Sequence, residues 1–182
     1  NLYTKPFTIE KTTLIKAKTF LTGALPGETN SRQVKVFEWM KPVKVNNTKP
    51  SIAYNYYEVD KDINLISPFK TAPVKSGVTS IINLDKKQRA DKFAFEFYGF
   101  IKIEKDGIYT FFTESDDGSK LFIDDVEIVN NDGQHEKKKK NGRAALKKGF
   151  HKIKILYFDS GGGNTLKVLL QKEGGEKLEL SP

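Results

Sequence analysis

Two adjacent carboxylates, Asp116 and Asp117, lie in a short segment of small and acidic residues between two runs rich in β-branched and aromatic residues. Such runs favour strands, and the segment between them favours a tight connection. A connection of this kind can hold both carboxylates over a hard cation, which prefers oxygen ligands. It can equally be a hairpin turn in which the aspartates accept hydrogen bonds from backbone N–H groups. The sequence pattern leaves both interpretations open.

Outside this pair, the residues that could do chemistry are few and scattered. Asp124, Asp125 and the acidic segment 130–133 are typical of hairpin connections, although either group could add an oxygen to a cation site. His135 and His151 are the two histidines and the chain has no Cys, so a zinc site or a nucleophilic triad has too few partners. We therefore expect no catalytic residues in this chain, and the pattern does not indicate which residues would contact a carbohydrate.

The net charge of +8 raises the question of an anionic partner. Only three of the 31 basic residues are Arg, whereas base edges and phosphates are recognised best by Arg, so we expect no nucleic-acid partner. The dense run from Lys137 to Lys140 favours an exposed loop or a strand end that resists edge pairing. A charged glycan or a membrane surface is the alternative partner for this run.

The ends of the chain and its hydropathy bear on location. No apolar run approaches the ~20 residues needed to span a membrane, so we expect no membrane span. No signal-peptide pattern opens the chain, and its first residue is not Met. We therefore expect a piece of a longer polypeptide whose targeting segment lies elsewhere.

The elements that must position these residues are predicted to be strands. Within residues 1–45 the pattern predicts short strands at 6–9, 13–20 and 34–39, with a loop at 22–31. Three short strands make a core too thin for independent stability. Residues 46–51 have the composition of a linker.

Residues 52–182 are predicted to form a larger domain. Strand patterns recur at short intervals between turn-forming residues, and no long segment shows the 3.6-residue period of a helix. The fold class predicted is all-β: an antiparallel β-sandwich or barrel, preceded by a small partial β-sandwich module. The stretch from about 60 to 92 is predicted to be rich in loops, and the later strands are predicted at 93–103, 107–113, 120–123, 127–129, 143–146, 150–158, 166–170 and 177–180.

Several motifs of this larger domain carry a family resemblance: GFIKI at 99–103, DGIYTF at 106–111, SDDGS at 115–119, LFID at 121–124 and HKIKILYF at 151–158. Together they resemble the anthrax protective antigen N-terminal domain family, over roughly residues 50–182. The resemblance implies a β-barrel or β-sandwich module of the kind found in bacterial toxins, glycosidases, glycosyltransferases and fungal adhesins.

Residues 1–45 show a second, weaker resemblance. The segments 2–7 and 12–20 are similar to the latter part of the small immunoglobulin-like domain at the C-terminus of chitobiase-type β-N-acetylhexosaminidases. The two modules together imply the C-terminal tail of a secreted bacterial β-N-acetylhexosaminidase or a related glycan-degrading enzyme, located in the periplasm, outside the cell or at the cell surface. Its catalytic barrel would lie upstream in the same polypeptide.

The first resemblance also implies a site. In lectin-like members of that family, two adjacent aspartates joined by a cis peptide bind calcium, an asparagine on a later loop completes the site, and the calcium holds sugar hydroxyls. Asp116 and Asp117 match the pair, and Asn164 is the candidate third ligand. The expected function is thus a non-catalytic accessory region that binds or positions a glycan. The alternative is a structural spacer or docking module with no ligand of its own.

Overall fold

The structure is a computed structural model that describes residues 2–46, 51–59 and 71–180. These residues contain strands and no helix, so the all-β prediction is confirmed. Consequently, no helix in the described ranges could cross a membrane. The strands are β1 (Thr13–Ala17), β2 (Asn30–Val34), β3 (Trp39–Met40), β4 (Ile52–Glu58), β5 (Lys75–Thr79), β6 (Phe93–Ile103), β7 (Gly107–Asp116), β8 (Ser119–Ile123), β9 (Val126–Asn131), β10 (Lys138–Leu146), β11 (Gly149–Asp159), β12 (Thr165–Lys172) and β13 (Lys177–Glu179).

The chain divides into two compact units, Asn1–Glu38 and Trp39–Pro182. In the first unit β1 and β2 form an antiparallel hairpin whose register runs from Thr13↔Val34 to Ala17↔Asn30. The strand predicted at 34–39 was therefore wrong in position: the residues that pair with β1 are 30–34, near the start of the predicted range and before it. No strand forms at 6–9. The origin of this unit in an immunoglobulin-like domain stays a prediction.

Residues 39–45, assigned to the first module from sequence, contribute to the second unit. Trp39 and Met40 pair in parallel with Ala145 and Leu146 of β10. The Val43 N–H donates to the Phe150 carbonyl at 2.8 Å. The contact boundary consequently falls between residues 38 and 39, ahead of the linker expected at 46–51. Residues 47–50 of that linker lie outside the described residues.

The second unit consists of two sheets with a shared core. One sheet has the strand order β5-β4-β6-β11-β8-β9 and the other β13-β12-β7-β10-β3. Every pairing is antiparallel except β10 with β3. Alternation places Phe93, Phe95 and Phe97 of β6 fully in the core. Tyr98 on the opposite face of β6 stays 42% exposed, so the period-2 pattern sets which face is buried.

Two strands differ from the sequence prediction in ways that matter for the site. β7 continues through Ser115 to Asp116, so the first of the paired aspartates ends a strand. β10 begins at Lys138 and includes most of the lysine run. Its lysines pair with residues 113–115 of β7 on one side. On the other side β3 reaches only Ala145 and Leu146. The lysine run therefore forms the exposed beginning of a strand, one of the two forms expected of it.

Candidate cation and carbohydrate site

Sheet register brings the later loop to the paired aspartates. β7 and β12 are antiparallel neighbours in which Thr165 pairs with Asp116, so residues 160–164 lie next to Asp116. A Cβ placed on Gly163 would come within 2.8 Å of Asp116 Oδ2, closer than Cβ atoms approach oxygen in proteins. Only glycine at position 163 thus lets the loop backbone sit this near the carboxylate. The peptide bond between Asp116 and Asp117 is cis, as the resemblance implied.

Asp117 is the anchor of this end of the domain. Its side chain is buried. Asp117 Oδ1 accepts a hydrogen bond from the His135 N–H at 2.9 Å, and Oδ2 accepts one from the Ser160 N–H at 2.8 Å. The turn interpretation foresaw backbone donors, but these donors belong to two other loops. Each carboxylate oxygen keeps a further lone pair, so these bonds leave Asp117 able to bind a cation.

Asp116 carries negative charge that its surroundings compensate poorly. Its side chain is half-buried, and its carbonyl accepts a hydrogen bond from the Tyr157 hydroxyl at 2.5 Å. Burial and the neighbouring Asp117 charge raise the pKa of Asp116, and His135 offsets part of this effect. A raised carboxyl pKa means that the environment disfavours the ionised form. A cation placed here would relieve that cost.

Asn164, the candidate third ligand, lies on the adjoining loop with its amide already engaged. Asn164 Oδ1 accepts a hydrogen bond from Lys87 Nζ at 2.7 Å. Asn164 Nδ2 donates to the Ala90 carbonyl at 3.2 Å. Sequence reasoning missed Lys87, because it lies in the stretch expected to be loops and no local pattern marks it.

Sequence reasoning also missed Asp159, the last residue of β11. It is fully buried, and no donor in the described part of the chain reaches its carboxylate oxygens with ordinary hydrogen-bond geometry, although the Lys92 N–H lies close enough to act on it. Burial, followed by the charges of Asp117 and Asp91, raises the pKa of Asp159 to about 7, and the backbone of Lys92 counteracts this only in part. Asp159 thus adds a third carboxyl group to the same end of the sandwich.

The other candidate residues serve the fold. Asp124 and Asp125 have φ values of +46° and +67° and form the β8–β9 hairpin, as expected. Asp124 Oδ2 lies 2.6 Å from His151 Nδ1, and His151 is fully buried. In the described residues, no three His, Asp or Glu side chains come together closely enough to hold a metal. A cation at this site would accordingly rest on two carboxylates, an amide oxygen and backbone carbonyls.

Comparison with known proteins identifies the fold. The PA14 domain family matches residues 48–181, well over half of the chain. The chain belongs to the PA14 domain family. The sequence interpretation named the anthrax protective antigen N-terminal domain family, to which PA14 is related. The match spans β4 to β13 and therefore both sheets of the second unit.

Solved structures share the architecture of the second unit. A PA14 sugar-binding domain from an RTX adhesin superimposes with a TM-score of 0.64 at 16% identity, covering 73% of this chain and 96% of that one. The epithelial adhesin 9 A domain from Candida glabrata, solved in complex with Galb1-3GlcNAc, superimposes with a TM-score of 0.57 at 9% identity. This superposition covers 76% of this chain and 91% of that one. At these identities the likeness shows the PA14 fold alone.

A similar sequence comes from a longer protein. The chain is 26% identical, over 193 aligned positions, to a beta-hexosaminidase of Porphyromonas gingivalis (strain ATCC BAA-308 / W83). The alignment covers 97% of this chain, including residues that precede the PA14 domain. It covers only 24% of the hexosaminidase. The chain thus spans about a quarter of that relative's length.

Proposed function

We propose that this PA14 domain is a non-catalytic carbohydrate-binding module in which Asp116, Asp117 and Asn164 hold a calcium ion. Bound calcium would supply open coordination positions for sugar hydroxyls. The observation that carries the proposal is the juxtaposition of Asp116 and Asp117 with the 160–164 loop, set by the β7–β12 register.

The residues present suit calcium. All the side-chain donors are oxygens, the type of ligand that calcium prefers. The close approach of Gly163 to Asp116 brings the loop backbone next to the carboxylate. Burial and the neighbouring Asp117 charge raise the pKa of Asp116, so a bound cation would stabilise its ionised form. Each of these features belongs to this chain and does not depend on the relatives.

The surroundings of the module are the second part of the proposal. The hexosaminidase relative supports an accessory region of a β-N-acetylhexosaminidase-type glycoside hydrolase, with the catalytic domain elsewhere in the same polypeptide. The sugar-binding adhesin domains support a glycan or glycoconjugate as the partner. A periplasmic or extracellular location at the bacterial surface follows from such a substrate.

The test is a calorimetric titration of chelator-treated protein with calcium, followed by a glycan array with and without calcium. We expect saturable calcium binding and calcium-dependent glycan binding. Both should be lost in Asp116→Asn, which removes the charge but keeps the side-chain shape. The matched control is Asp125→Asn, the same change in an exposed hairpin where the side chain is 71% exposed, and it should bind like the wild type. Absence of calcium binding in the wild type would overturn the calcium-dependent module and favour the structural spacer.

A further inference from the structure

We infer that Lys87 is a built-in competitor of calcium: its ammonium takes the Asn164 amide oxygen, so a cation can use that ligand only by displacing it. Lys87 Nζ lies 2.7 Å from Asn164 Oδ1. This inference rests on the proposed function, since it concerns the affinity of the same site. It assigns an affinity-determining role to a residue outside the acidic pair and its loop.

The orientation of the Asn164 amide is fixed from both sides. Nδ2 donates to the Ala90 carbonyl at 3.2 Å, while Oδ1 accepts from Lys87. Rotating the amide by half a turn would bring its NH₂ against an ammonium and its oxygen against a carbonyl, two repulsive pairs. Asn164 therefore presents its oxygen to the Lys87 side, and no second orientation offers it to a metal while Lys87 stays in place.

Lys87 is held in position by the fold. Its N–H donates to the Leu84 carbonyl at 3.0 Å, and the next residue, Gln88, donates its N–H to the Tyr56 hydroxyl at 3.2 Å. Tyr56 is a fully buried core residue. The segment that carries Lys87 is thereby tied to the core, which lowers the entropy cost of holding a long side chain at Asn164.

The competition concerns the Asn164 ligand specifically. In the described part of the chain Lys87 forms no ion pair with a carboxylate, and its other close partner is the Phe93 ring at 5.8 Å. Asp116 and Asp117 thus stay available to a cation, which gains its third side-chain oxygen only after the ammonium leaves. A calcium ion at Asn164 and an ammonium beside it would also repel each other.

The test compares calcium titrations of the wild type, Lys87→Met and Lys86→Met. Lys86 is the neighbouring exposed lysine, so both variants change the net charge equally. We expect calcium affinity to rise about tenfold or more in Lys87→Met, since a charge-assisted hydrogen bond no longer has to be broken. Lys86→Met should change it less than about threefold, since exposed charges at a distance are screened. Lys87→Gln, which keeps a neutral donor, should lie between the two.

Two further readouts separate the outcomes. The NMR signals of the Asn164 side-chain amide should move on substitution of Lys87 in calcium-free protein and stay in place on substitution of Lys86. Thermal denaturation checks that each variant is folded. Calcium binding that is equally strong in both Met variants would overturn the competition and leave the proposed function standing. Tighter binding in Lys87→Met than in both the wild type and Lys86→Met would support it, whereas no binding in any of the three proteins would overturn both proposals.

Discussion

At the scale of single residues, the acidic end of the PA14 domain is costly to build. Asp117 satisfies two backbone N–H groups of distant loops, whereas Asp159 is buried and no donor in the described residues reaches its oxygens with ordinary hydrogen-bond geometry. A buried carboxyl with so few donors favours its neutral form. The two residues therefore differ: Asp117 stabilises the fold by accepting these two hydrogen bonds, whereas Asp159 is tolerated most easily when protonated.

The raised pKa of Asp159 predicts an unusual pH dependence of stability. Its folded pKa of about 7 exceeds the ordinary carboxyl value of 3.8, so the unfolded chain releases this proton first. Below pH 4 both states are protonated and the residue contributes no pH dependence. Between pH 4 and 7 its contribution becomes less favourable as pH rises, and above pH 7 it is constant.

Replacing the group tests this assignment. The free energy of unfolding of Asp159→Asn, relative to wild type, should increase from pH 4 to pH 7 and level off above pH 7. Urea denaturation at a series of pH values, with chelator present throughout, measures the difference. Asp125→Asn is the control and should run parallel to the wild type. A difference between Asp159→Asn and wild type that does not change with pH would contradict the raised pKa.

At the scale of elements, the two sheets meet closely at β9 and β10. A Cβ on Gly142 of β10 would lie 1.7 Å from the Ile128 carbonyl oxygen of β9. These strands belong to different sheets and β9 is an edge strand of its sheet. The side of the sandwich is closed here by direct backbone approach, and the glycine is required by that approach.

We expect Gly142→Ala to destabilise the domain by about 3 kcal/mol, the upper end of the usual overpacking cost, because the atom met is backbone and cannot rotate away. Asn141→Ala, an exposed change on the same strand, should stay within about 0.5 kcal/mol of wild type. Denaturant unfolding measures both values. Equal free energies of unfolding for the two variants would mean that the β9 backbone can move away from position 142 with little loss of stability.

The strands show what local pattern can predict. Long alternating runs located β6 and β11 to within one residue, because both strands place every second side chain in the core. β5 was missed: its segment KSGVT has little apolar character, and its Val78 is 70% exposed. β5 is an edge strand that pairs only with β4, so its position depends on a neighbour and not on its own pattern.

The site divides in the same way. The acidic pair was evident as a local motif, and Asn164 followed from the resemblance. Lys87 and Asn164 are 77 positions apart in the sequence and form a hydrogen bond. The charge of Asp117 raises the pKa of Asp159, although the two residues are also far apart in the sequence. Such neighbours are set by sheet register and loop docking, which short-range pattern does not encode.

At the scale of the whole molecule, the boundary of the PA14 domain has a measurable consequence. Residues 39–45 supply β3 and the Val43 bridge to β11, and Met40 packs against the main core. A fragment of residues 39–182 should therefore be more stable than one of residues 46–182. We expect the shorter fragment to melt about 5 °C lower or more, as a loss of roughly 2 kcal/mol would give in a domain of this size.

Calorimetric melting of the two fragments, each checked for a single transition, measures this difference. Trp39→Ala within the longer fragment is a useful comparison, because Trp39 is 48% exposed and its backbone still pairs with β10. That variant should keep most of the stability. Coincident melting of the two fragments would show that 39–45 contribute nothing to the domain.

The two halves of the proposed cation site differ in how freely they can change. Asp116 ends β7, a strand with hydrogen-bonded neighbours on both sides, β10 and β12. Residues 160–164 belong instead to the connection between β11 and β12. The Ser160 N–H and Gly163 hold the two aspartates, whereas an added Cβ at Gly161 or Gly162 would meet no other atom within 4 Å. Insertions at 161–162 should therefore change the rim of the proposed site without moving the paired carboxylates. For a protein engineer, the strand that carries the aspartates can stay constant while part of the β11–β12 connection is varied.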